Sequence, residues 1–172
     1  MRKKIVNKQN NGKMCIVCGN ENDLSMHTRF YDLESGEMAA VFHTKDWHQS
    51  YPGRVHGGMA AAVLDELMGR AICIDEPGTW AVTADLNVKY KAPVPTDAKL
   101  TALARVTRNT RKIFEGEGEI YLGDGSIAVS AKGKYMKLDV NRIVDDEFLE
   151  KEWRLLEEDD PEYIEIKDVA SK

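Results

Sequence analysis

An α+β fold, with an antiparallel sheet wrapped around one central helix, is the architecture this 172-residue sequence predicts. Three observations carry it. Met59 to Ile74 is apolar nearly all round, which marks a helix buried on every side. Two short strand-like segments precede that helix. A run of strand-like segments follows it, with the hydrophobic period changing from helical to two after Pro77-Gly78. The length suits one domain, and 42% hydrophobic with 31% charged residues is the balance of a globular chain.

Residues 1 to about 13 are polar, show no hydrophobic period and read as a mobile arm. Leu24 to Leu33 and Glu37 to Thr44 read as strands joined at Glu34-Ser35-Gly36, with Gly36 as the turn residue. A loop from Lys45 to Val55 leads into His56-Gly57-Gly58 and the apolar helix. In Trp80, Val82, Ala84, Leu86, Val88 and Tyr90 every second residue is apolar, which predicts a strand with one buried face. Pro93-Val94-Pro95 ends it. Strands near Ala98 to Arg108, Lys112 to Leu122 and Ser126 to Leu138 complete a meander, and Gly116-x-Gly118 within them suits close approach of the helix. The domain is therefore drawn over 14–138. Residues 139–172 form an acidic extension with an amphipathic helix whose apolar side carries Phe148, Leu149 and Trp153. A curved sheet around one helix is the description of the hotdog fold.

From Asp139 onward there are 13 acidic and 5 basic residues, and the first 13 positions hold five of the basic ones. The middle is nearly neutral, without the basic face that a phosphate backbone needs, so nucleic acid is not an expected partner. No apolar run approaches bilayer length, and the basic start leads into polar residues, so neither a membrane partner nor a signal peptide is expected and the compartment reads as cytoplasmic. Cys15, Cys18 and Cys73 are too few for a disulfide scaffold. Cys15-x-x-Cys18 is half of a zinc knuckle with only His27 nearby, so no metal and no cofactor are expected.

Three charged residues interrupt the apolar helix. Glu66 and Arg70 are spaced i, i+4 in the favourable order for an ion pair. Asp65 has only Ala61, Ala62, Met68 and Gly69 a turn away. An unpaired carboxylate in an apolar site gains proton affinity and can act as base or nucleophile. The plain alternative is a solvent-facing Asp at a sheet edge. At the start of the helix the N-H groups of Gly57 and Gly58 lack intrahelical acceptors, and either could hold an oxyanion. Gly57 and Asp65 are eight residues apart, about 12 Å along a helix, so one reacting atom can meet both only if they come from two antiparallel chains of a symmetric dimer.

The stretch from Tyr51 to Glu66, with His56-Gly57-Gly58 and Asp65 nine positions after the His, resembles the hotdog-fold acyl-CoA thioesterases of the phenylacetate-degradation (PaaI) type, over about Met14 to Leu138. The resemblance implies a dimer or dimer of dimers that hydrolyses acyl-CoA thioesters. It implies Asp65 as general base or nucleophile, the Gly57 amide polarising the carbonyl beside Gly58, and His56 orienting the loop. Thr83 matches a hydroxyl that positions the attacking water. Many members have Asn six positions before the His, where this sequence has Ser50 beside Gln49. Arg111 and Lys112 stand where similar proteins contact the nucleotide phosphates of CoA. The Cys-x-x-Cys-Gly motif also recurs in such proteins, where it implies packing beside the acyl site.

Two other functions fit the pattern. His48-Gln49-Ser50-Tyr51-Pro52-Gly53 is similar, with a spacing different by two residues, to the His-Phe-Pro-Gly loop of hotdog dehydratases, which makes a hydratase or dehydratase the enzymatic alternative. A non-catalytic acyl-CoA binder would use the same pocket.

Overall fold

The computed structural model describes residues 1–157 and 159–168. In chain order the elements are β1 (Arg2–Lys8), β2 (Arg29–Leu33), β3 (Met38–His43), β4 (Gln49–Tyr51), β5 (Arg54–Val55), α1 (Gly57–Ala71), β6 (Trp80–Tyr90), β7 (Lys99–Asn109), β8 (Ile113–Tyr121), β9 (Ile127–Leu138), α2 (Asp146–Lys151) and β10 (Tyr163–Glu165). Eight strands form one sheet in the order β10-β1-β2-β3-β7-β8-β9-β6, antiparallel at every pairing, while β4 and β5 make a small separate hairpin. None of the described helices is long and apolar enough to cross a membrane.

Helix α1 lies against β3, β6, β7, β8 and β9. Val63, Leu64, Leu67 and Met68 are fully buried there among Phe30, Phe42, Phe114 and Ile120 from the sheet. Period-two burial is clearest on β8, where Phe114, Gly116, Gly118 and Ile120 face the helix. The glycines let helix and sheet close together: a Cβ at Gly116 would lie 3.5 Å from Met68 Cβ, and one at Gly118 would lie 3.2 Å from Met68 Cγ and 3.3 Å from Leu64 Cδ2. The α-helix ends at Ala71 and continues as one 3-10 turn, Ile72–Ile74. The hairpin at Gly36 forms as expected, with φ +77 at the glycine.

Both ends of the chain depart from the sequence reading. Where an arm is expected, Arg2–Lys8 form β1, hydrogen-bonded between β2 and β10. Backbone pairing needs no hydrophobic period, and the basic side chains find acids: Lys3 with Glu37, Arg2 with Glu165, and Lys8 with Asp160. The basic start and acidic end of the sequence are thus two sides of one strand pairing. The sheet consequently runs past the expected 14–138 boundaries through β1 and β10.

In the extension, of which residues 158 and 169–172 lie outside those described, the expected amphipathic helix shrinks to the six residues of α2. Asp145 caps it through Phe148 N-H, and after Glu152 the backbone of Arg154 bridges to Asn11 instead. Pro161 and the like charges of Asp159 and Asp160 before it give the chain there little reason to be helical. Its apolar residues are used all the same. Phe148 and Trp153 pack on Trp80, and Ile164 and Ile166 cover Tyr31, Leu33 and Leu103 on the outer face of the sheet.

A methyl group at Gly118 meets the backbone oxygen of Leu103 as well as Met68 and Leu64, so helix and strand must separate. Gly118→Ala is expected to lower unfolding free energy by about 1 to 3 kcal/mol, measured by urea denaturation. Unchanged or increased stability would show that the helix does not rest on this strand.

Candidate functional site

Asp65 lies in the middle of α1, half-buried, on the side turned to β6 and β9. Strict alternation places Thr83 opposite Leu86 and Val88, on the polar face of β6. An irregularity between Thr83 and Asp85 changes this: Thr83 pairs with Tyr135 and Asp85 with Lys134, leaving Ala84 as the extra residue of a bulge. The bulge turns Ala81 and Thr83 to the same side as Leu86 and Val88, toward the core, and leaves Val82 exposed on the side expected to be buried.

Thr83 therefore meets the helix carboxylate. Its Oγ1 donates to Asp65 at 2.8 Å from Oδ1 and 3.1 Å from Oδ2. Tyr135, the cross-strand neighbour of Thr83, points its hydroxyl between the Asp65 backbone oxygen at 3.1 Å and Oδ1 at 3.2 Å. Gly133 makes room for it, because a Cβ there would lie 2.5 Å from the Tyr135 hydroxyl oxygen. Burial first, and then the charge of Asp65 and the hydrogen bond to it, push the Tyr135 phenol well above its usual value, so Tyr135 remains a donor.

No described cation pairs with Asp65, whereas Arg70 pairs with Glu66 at 2.6 Å, as their spacing predicts. The carboxylate is hydrogen-bonded by two hydroxyls and left uncompensated in charge. It opens on a cavity of about 800 Å³ that runs along α1, with Thr83 and Tyr135 at one end and Arg70, Asp32 and Trp153 among the other lining residues.

At the helix start the two glycine N-H groups differ in their partners. His56 is the N-cap, and its Nδ1 accepts the Gly58 N-H at 2.9 Å. Gly58 is thereby satisfied, while the Gly57 N-H has no acceptor among the described residues. Tyr90 donates to the Gly57 carbonyl at 2.9 Å. Gly57, Tyr90 and Ser50 share a second cavity of about 360 Å³. In one chain, then, Asp65 and Gly57 sit at separate cavities on a continuous helix, about 12 Å apart along its axis. Arg111 and Lys112 lie exposed on the β7–β8 turn and line neither cavity.

His48, the candidate base of the dehydratase alternative, is 4% exposed with both ring nitrogens engaged. Nδ1 accepts the Lys45 N-H at 3.0 Å, so the proton is on Nε2, which donates to Leu24 O at 2.8 Å. It is a structural histidine. Tyr135 and Tyr90 escape the sequence reading because no spacing relates them to Asp65 or Gly57. The one hint is that a tyrosine at an inward strand position needs a partner for its hydroxyl.

Cys15, Cys18 and Glu66 present donor atoms within 4.8 Å of one another, a three-ligand set that could hold a soft cation. The positive charge there is already supplied by Arg70, which donates to Cys18 Sγ at 3.3 Å while pairing with Glu66.

Residues 52–129 match the family model described as the thioesterase superfamily. Mouse acyl-coenzyme A thioesterase THEM4 is 27% identical over 114 residues, 66% of this chain and 48% of that protein. The crystal structure of a thioesterase superfamily protein superposes with a TM-score of 0.65 at 29% identity, covering 71% of this chain and 59% of that one. The PaaI protein of Escherichia coli, from the phenylacetic acid degradation operon, superposes with a TM-score of 0.60 over 66% of this chain and 81% of that one, and at 17% identity this likeness is one of fold. The chain spans about half the length of the curated relatives it matches. The hotdog expectation thus holds for the large antiparallel sheet and its long helix.

A phenol whose proton is held more tightly in the folded state than in the unfolded one adds stability below its ordinary pKa of about 10, and that contribution is lost as pH rises toward the raised value. Between about pH 10 and 11.5 the wild-type protein is therefore expected to lose stability more steeply than Tyr135→Phe, by up to about 1.4 kcal/mol per pH unit in urea unfolding. Parallel slopes would mean that Tyr135 ionises freely in the folded protein.

Proposed function

We propose that this chain hydrolyses an acyl-CoA thioester to the free acid and CoA, with Asp65 as general base or nucleophile. The observation that carries this reading is the Asp65 carboxylate, held by the Thr83 and Tyr135 hydroxyls with no cation among the described residues, on the wall of a cavity. A carboxylate so placed keeps an open lone pair for water. Thr83, having given its only proton to Asp65, can accept a hydrogen bond from that water and orient it. Water attacks the thioester carbon as Asp65 takes its proton, the oxyanion is stabilised by an N-H donor, and the C–S bond breaks as the CoA sulfur leaves and takes that proton from Asp65.

The N-H donor in this reading is Gly57 of the partner subunit. Strand β6 lies at the free edge of the sheet, with Thr83 near one end beside one cavity and Tyr90 at the other end beside the second. If two copies pair these edges antiparallel about a twofold axis near Leu86 and Asn87, Thr83 of one comes opposite Tyr90 of the other. Asp65 then approaches the Gly57 N-H that its own chain cannot bring closer than about 12 Å. A dimer, or a dimer of dimers, is the unit of function. Ser50 borders the oxyanion cavity, while His56 keeps Gly58 occupied so that Gly57 alone donates. Arg111 and Lys112, on the β7–β8 turn with β9 between β8 and β6, carry charge suited to the CoA phosphates. The acyl-CoA substrate rests on kinship with proteins such as the mouse thioesterase.

Asp65→Asn keeps the shape and both hydroxyl partners but loses the base. It is expected to cut CoA release by about 10² to 10⁴, followed with a thiol reagent across acyl-CoA esters. Retention of more than about a tenth of wild-type activity would contradict the role. Gly57→Pro removes the donor at the first helical position, where proline is tolerated, and is expected to cost about 10² to 10³ in rate. Mixing the two variants after unfolding and refolding should restore up to about a quarter of wild-type activity, since half the dimers are mixed and each has one intact site. No recovery would refute the shared site.

A further inference from the structure

The Cys15-x-x-Cys18 motif is not used by the proposed thioester chemistry, and its geometry suits a reaction of its own. Cys15 to Gly19 form a single tight turn closed by Gly19 N-H to Cys15 O at 2.8 Å, where a Cβ at Gly19 would stand 2.4 Å from that oxygen. Met26 N-H to Ile16 O and Thr28 N-H to Val17 O fasten the turn to the segment before β2. The two sulfurs are thus fixed on one side of the turn, within 4.8 Å of each other.

Their surroundings differ. Cys18 is 1% exposed, accepting from Gly12 N-H at 3.4 Å and Arg70 Nη2 at 3.3 Å. Cys15 is half-buried, accepts from Val17 N-H at 3.3 Å and reaches Glu66 Oε2 at 3.2 Å. A hydrogen bond from the Cys18 thiol holds the Cys15 thiol below its usual value, against burial and the charge of Glu66, while the same bond and burial push Cys18 up. Of the two, Cys15 is the less buried and the more readily ionised.

We infer that Cys15 and Cys18 form a dithiol site that exchanges with small-molecule disulfides of the glutathione class, Cys15 attacking and Cys18 resolving. The Cys15 thiolate attacks one sulfur of the external disulfide, forming a mixed disulfide and expelling the first thiolate, which takes up a proton. Cys18 then gives up its proton and attacks the Cys15 sulfur, closing the Cys15–Cys18 bond and expelling the second thiol. Two protein thiols are oxidised and one external disulfide is reduced to two thiols. Closure ends the Cys15 S-H contact with Glu66 and changes the sulfur that Arg70 touches, and both Glu66 and Arg70 line the Asp65 cavity. The site therefore has a route to the wall of that cavity, yet it stands whether or not the cavity hydrolyses thioesters.

The test uses the native chain carrying Cys73→Ser, to silence the third thiol, in buffers of rising glutathione disulfide to glutathione ratio. After acid quench and alkylation, intact mass and peptide maps are recorded. The expected result is loss of two hydrogens in most molecules, with the 15–18 bridge in a single peptide and full reversal by excess dithiol. Cys18→Ser should stop at one glutathione on Cys15, and Cys15→Ser should leave Cys18 unmodified in the folded protein. The inference is overturned if the native protein keeps both thiols at high disulfide, if a glutathione adduct persists on Cys15 with Cys18 present, or if the bridge forms only after denaturation.

Discussion

The constraint on which this structure rests is the burial of a helix that has almost no polar side. α1 carries apolar residues on nearly every face, so one sheet face is too narrow a cover, and the sheet must curve until five strands touch it. Curvature brings backbone close to backbone, and Gly116 and Gly118 stand where a larger residue would hold helix and strand apart. The few charges on α1 must then be compensated or placed at an opening.

The helix handles its charges in two ways. Glu66 and Arg70 neutralise one another, and Arg70 also stacks on Phe30 and Trp153, which makes it part of the packing. Asp65 is treated differently. Its partners are hydroxyls from β6 and β9, which satisfy oxygen lone pairs without cancelling charge. This distinction separates a charge-paired acid from an uncompensated one in the same turn of helix. The cost of such a carboxylate is kept tolerable by partial exposure at the edge of the sheet.

The chain ends show a second economy. The excess of acid after residue 139 and of base before residue 13 looks, along the sequence, like two solvated tails. Folded, they meet in β1 and β10, where the backbones pair and the side chains exchange charge. A hydrophobic period could not reveal β1, because a strand held between two neighbours by hydrogen bonds and ion pairs does not need one. The fold's centre was legible for the opposite reason: burial on both faces or one writes a pattern into the residues, as it does in α1 and β8.

Residue order by itself determined the helix, its lonely acid, the glycines at its start and beside it, the Glu66–Arg70 pair and the separation that keeps Asp65 and Gly57 apart in one chain. All of these follow from periodicity and from the rise of a helix, which are local. Only the tertiary structure decided that a bulge at Ala84 turns Thr83 inward, that Tyr135 completes the cradle of Asp65, that the Gly58 N-H and not the Gly57 N-H has an acceptor among the described residues, and that His48 is spent on backbone. Those outcomes depend on strand register and on which distant atoms reach hydrogen-bonding distance, and no repeat along the chain encodes either.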